Sequence, residues 1–75
     1  MEEQVIRWGK RIRAFRKLKG YTQEDLAKAI HLSVSVIGSV ERGTKVPSPQ
    51  LLEEIARELG VTINELKGEG VNDNG

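Results

Sequence analysis

Four times along this chain a residue that ends helices is followed within five residues by one that starts them. Gly20 precedes Thr22, His31 precedes Ser33, Gly43 precedes Ser48, and Gly60 precedes Thr62. Thr22 with Asp25, and Thr62 with Glu65, have the spacing of a capping box, although Asp is shorter than the usual Glu. Ser33 and Ser48 are N-cap residue types, and Pro49 stands at the first helical position, where a missing N–H costs nothing. Glycines at the other ends suit the left-handed residue that closes a helix. A chain cut this way folds into short helices. The spacing predicts an all-α fold of five: Glu3–Lys19, Gln23–Ile30, Val34–Arg42, Pro49–Leu59 and Ile63–Lys67.

Apolar residues recur at intervals of three and four inside these segments. Val5, Trp8, Ile12 and Phe15 form the stripe of the first helix, so both aromatics are read as core packing rather than ligand stacking. Leu26, Ala27 and Ile30 serve the second, and Leu32, Ile37 and Val40 the third. Leu52, Ile55, Ala56 and Leu59 serve the fourth, with Val61 and Leu66 completing the core. His31 falls where positive φ is expected, which His tolerates better than most non-glycine residues. It is read as a turn residue, not as a ligand or base. The stretch GEGVNDNG at 68–75 has almost nothing to bury and is expected to be disordered. The domain is placed at 1–68 and the tail at 69–75.

At 75 residues with no cysteine and one histidine, the chain has no disulfide or zinc staple. Helix packing or a partner subunit must supply the stability. No apolar run approaches the ~20 residues of a membrane span. The opening MEEQ is acidic where a signal peptide is basic. A soluble, cytoplasmic protein is expected. No glycine-rich phosphate loop or catalytic carboxylate pair is present, and a chain this small has little room for a cleft. An enzyme, a cofactor and a small-molecule substrate are therefore not expected.

The net charge of +1 is uneven. Residues 1–20 carry +5, residues 21–43 and 44–68 carry −1 each, and residues 69–75 carry −2. A basic first segment suits a polyanion, though a solvated helix face explains it equally well.

Thr22 to Gly43, TQEDLAKAIHLSVSVIGSVERG, is the informative stretch. Two short helices join through a tight turn, with Ala27 where only a small side chain lets them cross. Such a pair offers the outer face of its second helix to the DNA major groove while the first crosses the backbone. The start of the Gln23 helix supplies N–H groups and a positive dipole end for a phosphate.

Here the sequence resembles the Cro/cI-type (lambda-repressor-like, xenobiotic-response-element) helix-turn-helix family. The likeness is carried by Gly9, Ile12, Phe15, Arg16 and Gly20, then the TQxxLA run Thr22–Ala27. It continues through Ser33, Ile37, Glu41-Arg42-Gly43 and Pro47-Ser48, then Leu52, Ile55, Ala56, Leu59, Gly60, Val61 and Leu66. It spans 8–66, with the helix-turn-helix at 23–42, and the combined spacing is specific where TQxxLA alone is weak. The resemblance implies a lambda-repressor-like fold and contacts to double-stranded DNA from Thr22, Gln23, Ser33, Val34, Ser35, Ser39, Arg42, Thr44 and Lys45. Within that set it implies that Gln23 holds a phosphate, that Val34, Ser35 and Ser39 touch base edges, and that Arg42, Thr44 and Lys45 meet the following phosphates. It also implies an ion pair between Arg16 and Glu41.

The third helix departs from the family by offering Val34, Ser35, Gly38 and Ser39 where Gln, Asn, Arg or Lys are common. Valine reaches only a thymine methyl, and serine discriminates poorly between base pairs. Phosphate positioning and DNA shape are expected to carry more of the specificity. Gly38 costs the helix about 1 kcal/mol relative to Ala, unless its bare surface lets backbone approach DNA. His31 replaces the glycine common in the turn. The leading expectation is a sequence-specific regulator, a repressor, binding a palindrome as a homodimer. The Val61–Leu66 region or the Trp8 end of the first helix would supply the dimer contact. The alternative is a protein-interaction or antitoxin-like module on the same scaffold with weak DNA affinity, favoured by the plain recognition face and near-neutral charge.

Overall fold

The computed structural model describes residues 3–68, and its second to fifth helices begin where a side-chain oxygen takes a first-turn N–H. The helices are α1 (Glu3–Leu18), α2 (Gln23–Ala29), α3 (Val34–Arg42), α4 (Pro49–Leu59) and α5 (Ile63–Lys67), with no strand among the described residues. The Thr22 hydroxyl accepts the Asp25 N–H at 3.0 Å while the Thr22 N–H donates to the Asp25 carboxylate at 2.9 Å. Thr62 and Glu65 repeat the exchange at 3.0 and 2.8 Å. Ser33 and Ser48 accept from the N–H groups of Val36 and Leu51. Helices α1 and α2 each stop one residue short of the expected end, α2 because Ile30 has left helical geometry at φ −111°.

Two details differ from the sequence expectation. Gly68 is not loose: it closes α5 at φ 77° and is buried against the Arg11 side chain. The expected disorder of 69–75 lies outside the described residues. The buried line of α1 is Val5, Gly9, Ile12 and Arg16, with Trp8 and Phe15 half-buried beside it. That stripe is turned because Gly9 lets α1 lie directly on α3. A Cβ at Gly9 would stand 2.5 Å from the Val40 carbonyl oxygen and 2.6 Å from that of Glu41. Trp8 lies instead beside α5, with Lys67 over its ring, and Phe15 packs against the core with Arg11 of α1 over its ring.

Every helix sends at least one fully buried side chain to a common centre: Ile12, Leu26, Ile37, Ile55 with Leu59, and Leu66. Each such burial stabilises by about 1.5–3 kcal/mol. Ala27 is 3 % exposed, and its small side chain lies where α2 meets α3, helices in close contact. His31 has φ 60° and its N–H donates to the Lys28 carbonyl, making the turn between them.

Candidate nucleic-acid interface

Helix α3 has an anchored face and a bare one. The residues it packs inward are Ile37, Val40 and Glu41, while Gly38 is buried beneath the Arg42 side chain of the same helix. At 100° per residue the opposite side carries Ser35, Ser39 and Arg42, with Val34 on the flank. Val34, Ser35 and Arg42 are exposed and Ser39 is half-buried. Nothing else in the described fold covers this face.

The anchored face ends in a charged cluster. Arg16 of α1 meets Glu41 of α3 through two parallel bonds, Nε to Oε2 at 2.6 Å and Nη2 to Oε1 at 3.0 Å. Both side chains are buried, at 7 % and 3 % exposure. The remaining guanidinium nitrogen donates to the Tyr21 carbonyl at 2.8 Å, so the pair also ties down the chain entering α2. A buried pair is tolerable only when its lone pairs and protons are satisfied, and Gln23 contributes to that. Its amide donates to Glu41 Oε1 at 3.1 Å. Arg16, Glu41 and Gln23 thus fix α1, α3 and the start of α2 as one unit.

Gln23 stands half-buried at the edge of the bare face. An amide has two N–H donors, and one is committed to Glu41. Thr22 and Ser33 spend acceptor lone pairs on their caps and keep their hydroxyl protons. The start of α2 is less positive than its dipole alone suggests, because Glu24 and Asp25 lie in its first turn. The Thr22 N–H holds the Asp25 carboxyl below its ordinary value, so it stays ionised there.

At the other end of the face the sequence grouping divides. Thr44 turns both its donors inward: its N–H and its hydroxyl reach the Ser39 carbonyl at 3.0 and 3.1 Å. It holds the loop and has no donor left for a phosphate, which accepts only. Lys45 is exposed beyond it. Arg42 does not extend toward Thr44 and Lys45. Its guanidinium folds back along α3, with Nη2 3.4 Å from Ser39 Oγ and Nη1 3.0 Å from where a Gly38 Cβ would sit. Gly38 is buried under that side chain, so its bare surface makes room for Arg42. Val46, unassigned by sequence reasoning, is 61 % exposed beside Lys45. No spacing in the sequence separates it from a core valine.

The basic first segment is partly consumed within the fold. Arg16 is buried in its pair, and Arg11 donates to the Glu65 carbonyl at 2.8 Å. Arg7, Lys10, Arg13, Lys17 and Lys19 remain exposed. Of the residues suggested for a dimer contact, Leu66 is fully buried and Trp8 is half-covered. Val61 and Ile63 keep partial exposure.

Residues 12–66 match the helix-turn-helix family. The chain is 52 % identical over 66 residues to the HTH-type transcriptional regulator YazB of Bacillus subtilis, covering 88 % of this chain and 93 % of that one. It is 39 % identical over 61 residues to the immunity repressor protein of Bacillus phage phi105, covering 81 % of this chain but 42 % of that longer protein. Among solved structures, the restriction-modification controller protein C.AhdI of Aeromonas hydrophila superposes with a TM-score of 0.82 at 34 % identity. That superposition covers 87 % of this chain and 98 % of the other.

Proposed function

Because the chain belongs to the helix-turn-helix family of transcriptional regulators, we propose that it is a sequence-specific repressor that inserts α3 into the major groove of double-stranded DNA. The observation that supports this most is the division of α3. One face is locked to α1 and α2 through Ile37, Val40 and the Arg16–Glu41–Gln23 cluster, and the other is bare. A recognition helix needs both properties, because base edges are read only from a fixed register.

In this reading the second N–H of Gln23, the hydroxyls of Thr22 and Ser33, and the Lys45 ammonium hold phosphates. Thr44 sets the loop that presents Lys45. Val34, Ser35 and Ser39 meet base edges. The unit that does this is residues 1–68, acting in the cytoplasm without a cofactor. It works as a homodimer, since one module of this size covers half a site and two dock about one helical turn apart. Relatives named as regulators and repressors support the assignment.

Affinity measured against salt, on duplexes selected from random DNA and on scrambled ones, tests it. The expected result is a negative slope in both cases with tighter binding to the selected sequence. Lys45→Ala should weaken both and flatten the slope by about one unit. Gln23→Ala should weaken both and leave the slope alone. Absence of binding to any duplex at low salt overturns the proposal in favour of a protein-interaction module.

A further inference from the structure

We infer that Arg42, seated over Gly38, is the residue through which this protein selects its DNA sequence, by reading a guanine in the major groove. The inference rests on the DNA-binding reading above and reassigns Arg42 from the phosphate role that family resemblance implies. A long side chain on a helix points toward the N-terminus and covers the turn before its own Cα. Arg42 obeys this: its guanidinium lies one turn back, beside Ser39 and above the buried Gly38. That places the cation level with the middle of α3, between Ser39 and the Gln23 edge of the bare face, and not beyond the helix end, where Lys45 stands.

Gly38 is otherwise unexplained. Glycine inside a nine-residue helix is destabilising, yet a Cβ here would stand 3.0 Å from Arg42 Nη1. The missing side chain therefore opens the seat that Arg42 fills. The bond to Ser39 is long, at 3.4 Å, and satisfies one donor of five. The planar fork remains available, and it matches O6 and N7 of guanine with two hydrogen bonds, the commonest specific contact in the major groove. No other residue on this face can discriminate as strongly, since its neighbours are Ser35, Ser39 and Val34.

The test is the ratio of affinities for selected and scrambled duplexes in wild type, Arg42→Ala, Arg42→Lys, Gly38→Ala and the double variant Gly38→Ala/Arg42→Ala. Arg42→Ala should lower the ratio about 5- to 150-fold. Arg42→Lys should lower it too while preserving scrambled-duplex binding, because an ammonium keeps the charge and lacks the fork. Gly38→Ala should lower the ratio when Arg42 is present and leave it unchanged when Arg42 is already Ala. Equal weakening on both duplexes with a salt slope flatter by about one unit identifies a phosphate contact and overturns the inference. A Gly38→Ala effect that persists without Arg42 overturns the seat. If wild type binds no duplex, the DNA reading itself fails, an outcome distinct from binding with an unaltered ratio.

Discussion

Helix α3 meets two glycine positions on its two sides, and they differ in what surrounds them. On the inner side, Gly9 of α1 faces the backbone of Val40 and Glu41, and an added Cβ would come within 2.6 Å of two carbonyl oxygens. Backbone cannot step aside. On the outer side, Gly38 faces the tip of the Arg42 side chain at 3.0 Å, and a guanidinium on four rotatable bonds can. The inner side is built to hold one register and the outer side to keep a side chain movable. A reading helix requires that contrast, since specificity depends on where the helix sits and on which groups its free face offers.

The inner side should break hardest at its charge cluster. Arg16→Ala and Glu41→Ala are each expected to lower stability by roughly 3–5 kcal/mol, because each strands a buried partner charge. The double variant should lose less than the sum in a denaturant cycle, while additive losses would mean that the two residues are not coupled. Gly9→Ala comes next, with a loss of about 3 kcal/mol by overpacking against backbone, seen as a shift in denaturation midpoint. A Gly9→Ala protein as stable as wild type would remove the close approach from the account.

On the outer side the sign should reverse. Gly38→Ala is expected to raise stability by up to about 1 kcal/mol through helix propensity, with Arg42 moving aside. A loss of the size seen at Gly9 would show that Arg42 is as fixed as backbone and erase the contrast between the two sides. The smallest effects belong to the exposed capping boxes. Hydrogen bonds from the N–H groups of Thr22 and Thr62 lower the Asp25 and Glu65 carboxyls in the folded state. A carboxyl lowered on folding stabilises the fold above its ordinary value, 3.8 for Asp25 and 4.5 for Glu65. That stabilisation is lost as pH falls through the lower folded value. Thermal melts between pH 6 and pH 2 should therefore fall less steeply in an Asp25→Asn/Glu65→Gln protein than in wild type. Parallel curves would show that the caps contribute no pH dependence.

Helix ends were legible because they depend on local chemistry: Thr22 with Asp25, Thr62 with Glu65, and Pro49 behind Ser48 are short-range patterns that carry their own mechanism. The positive φ of His31 was legible for the same reason. The orientation of α1 was not. Trp8 and Phe15 outrank Gly9 and Arg16 in hydrophobicity, so periodicity centred the stripe on the aromatics, while the close backbone approach at Gly9 and the pairing at Arg16 set the true face. Both are tertiary facts. In the site, the family resemblance pointed to the outer residues of α3, and it grouped Arg42 with Thr44 and Lys45 as phosphate contacts. Adjacency along the chain says nothing about a side chain that lies back along its helix, or about the Thr44 donors turning onto Ser39. The reason for Gly38 lies in the Arg42 side chain above it, a contact that helix propensity does not reveal.

The most direct test of the central claim, that the bare face of α3 is the surface that meets DNA, is amide mapping by NMR during titration with a duplex selected from random DNA. The largest shifts should fall at Val34, Ser35, Ser39 and Arg42, with Gln23 and Lys45 at the edges. The amides of α5, which packs on α1 and α4, should stay nearly still. Shifts concentrated in α4 and α5 with α3 unmoved would contradict it.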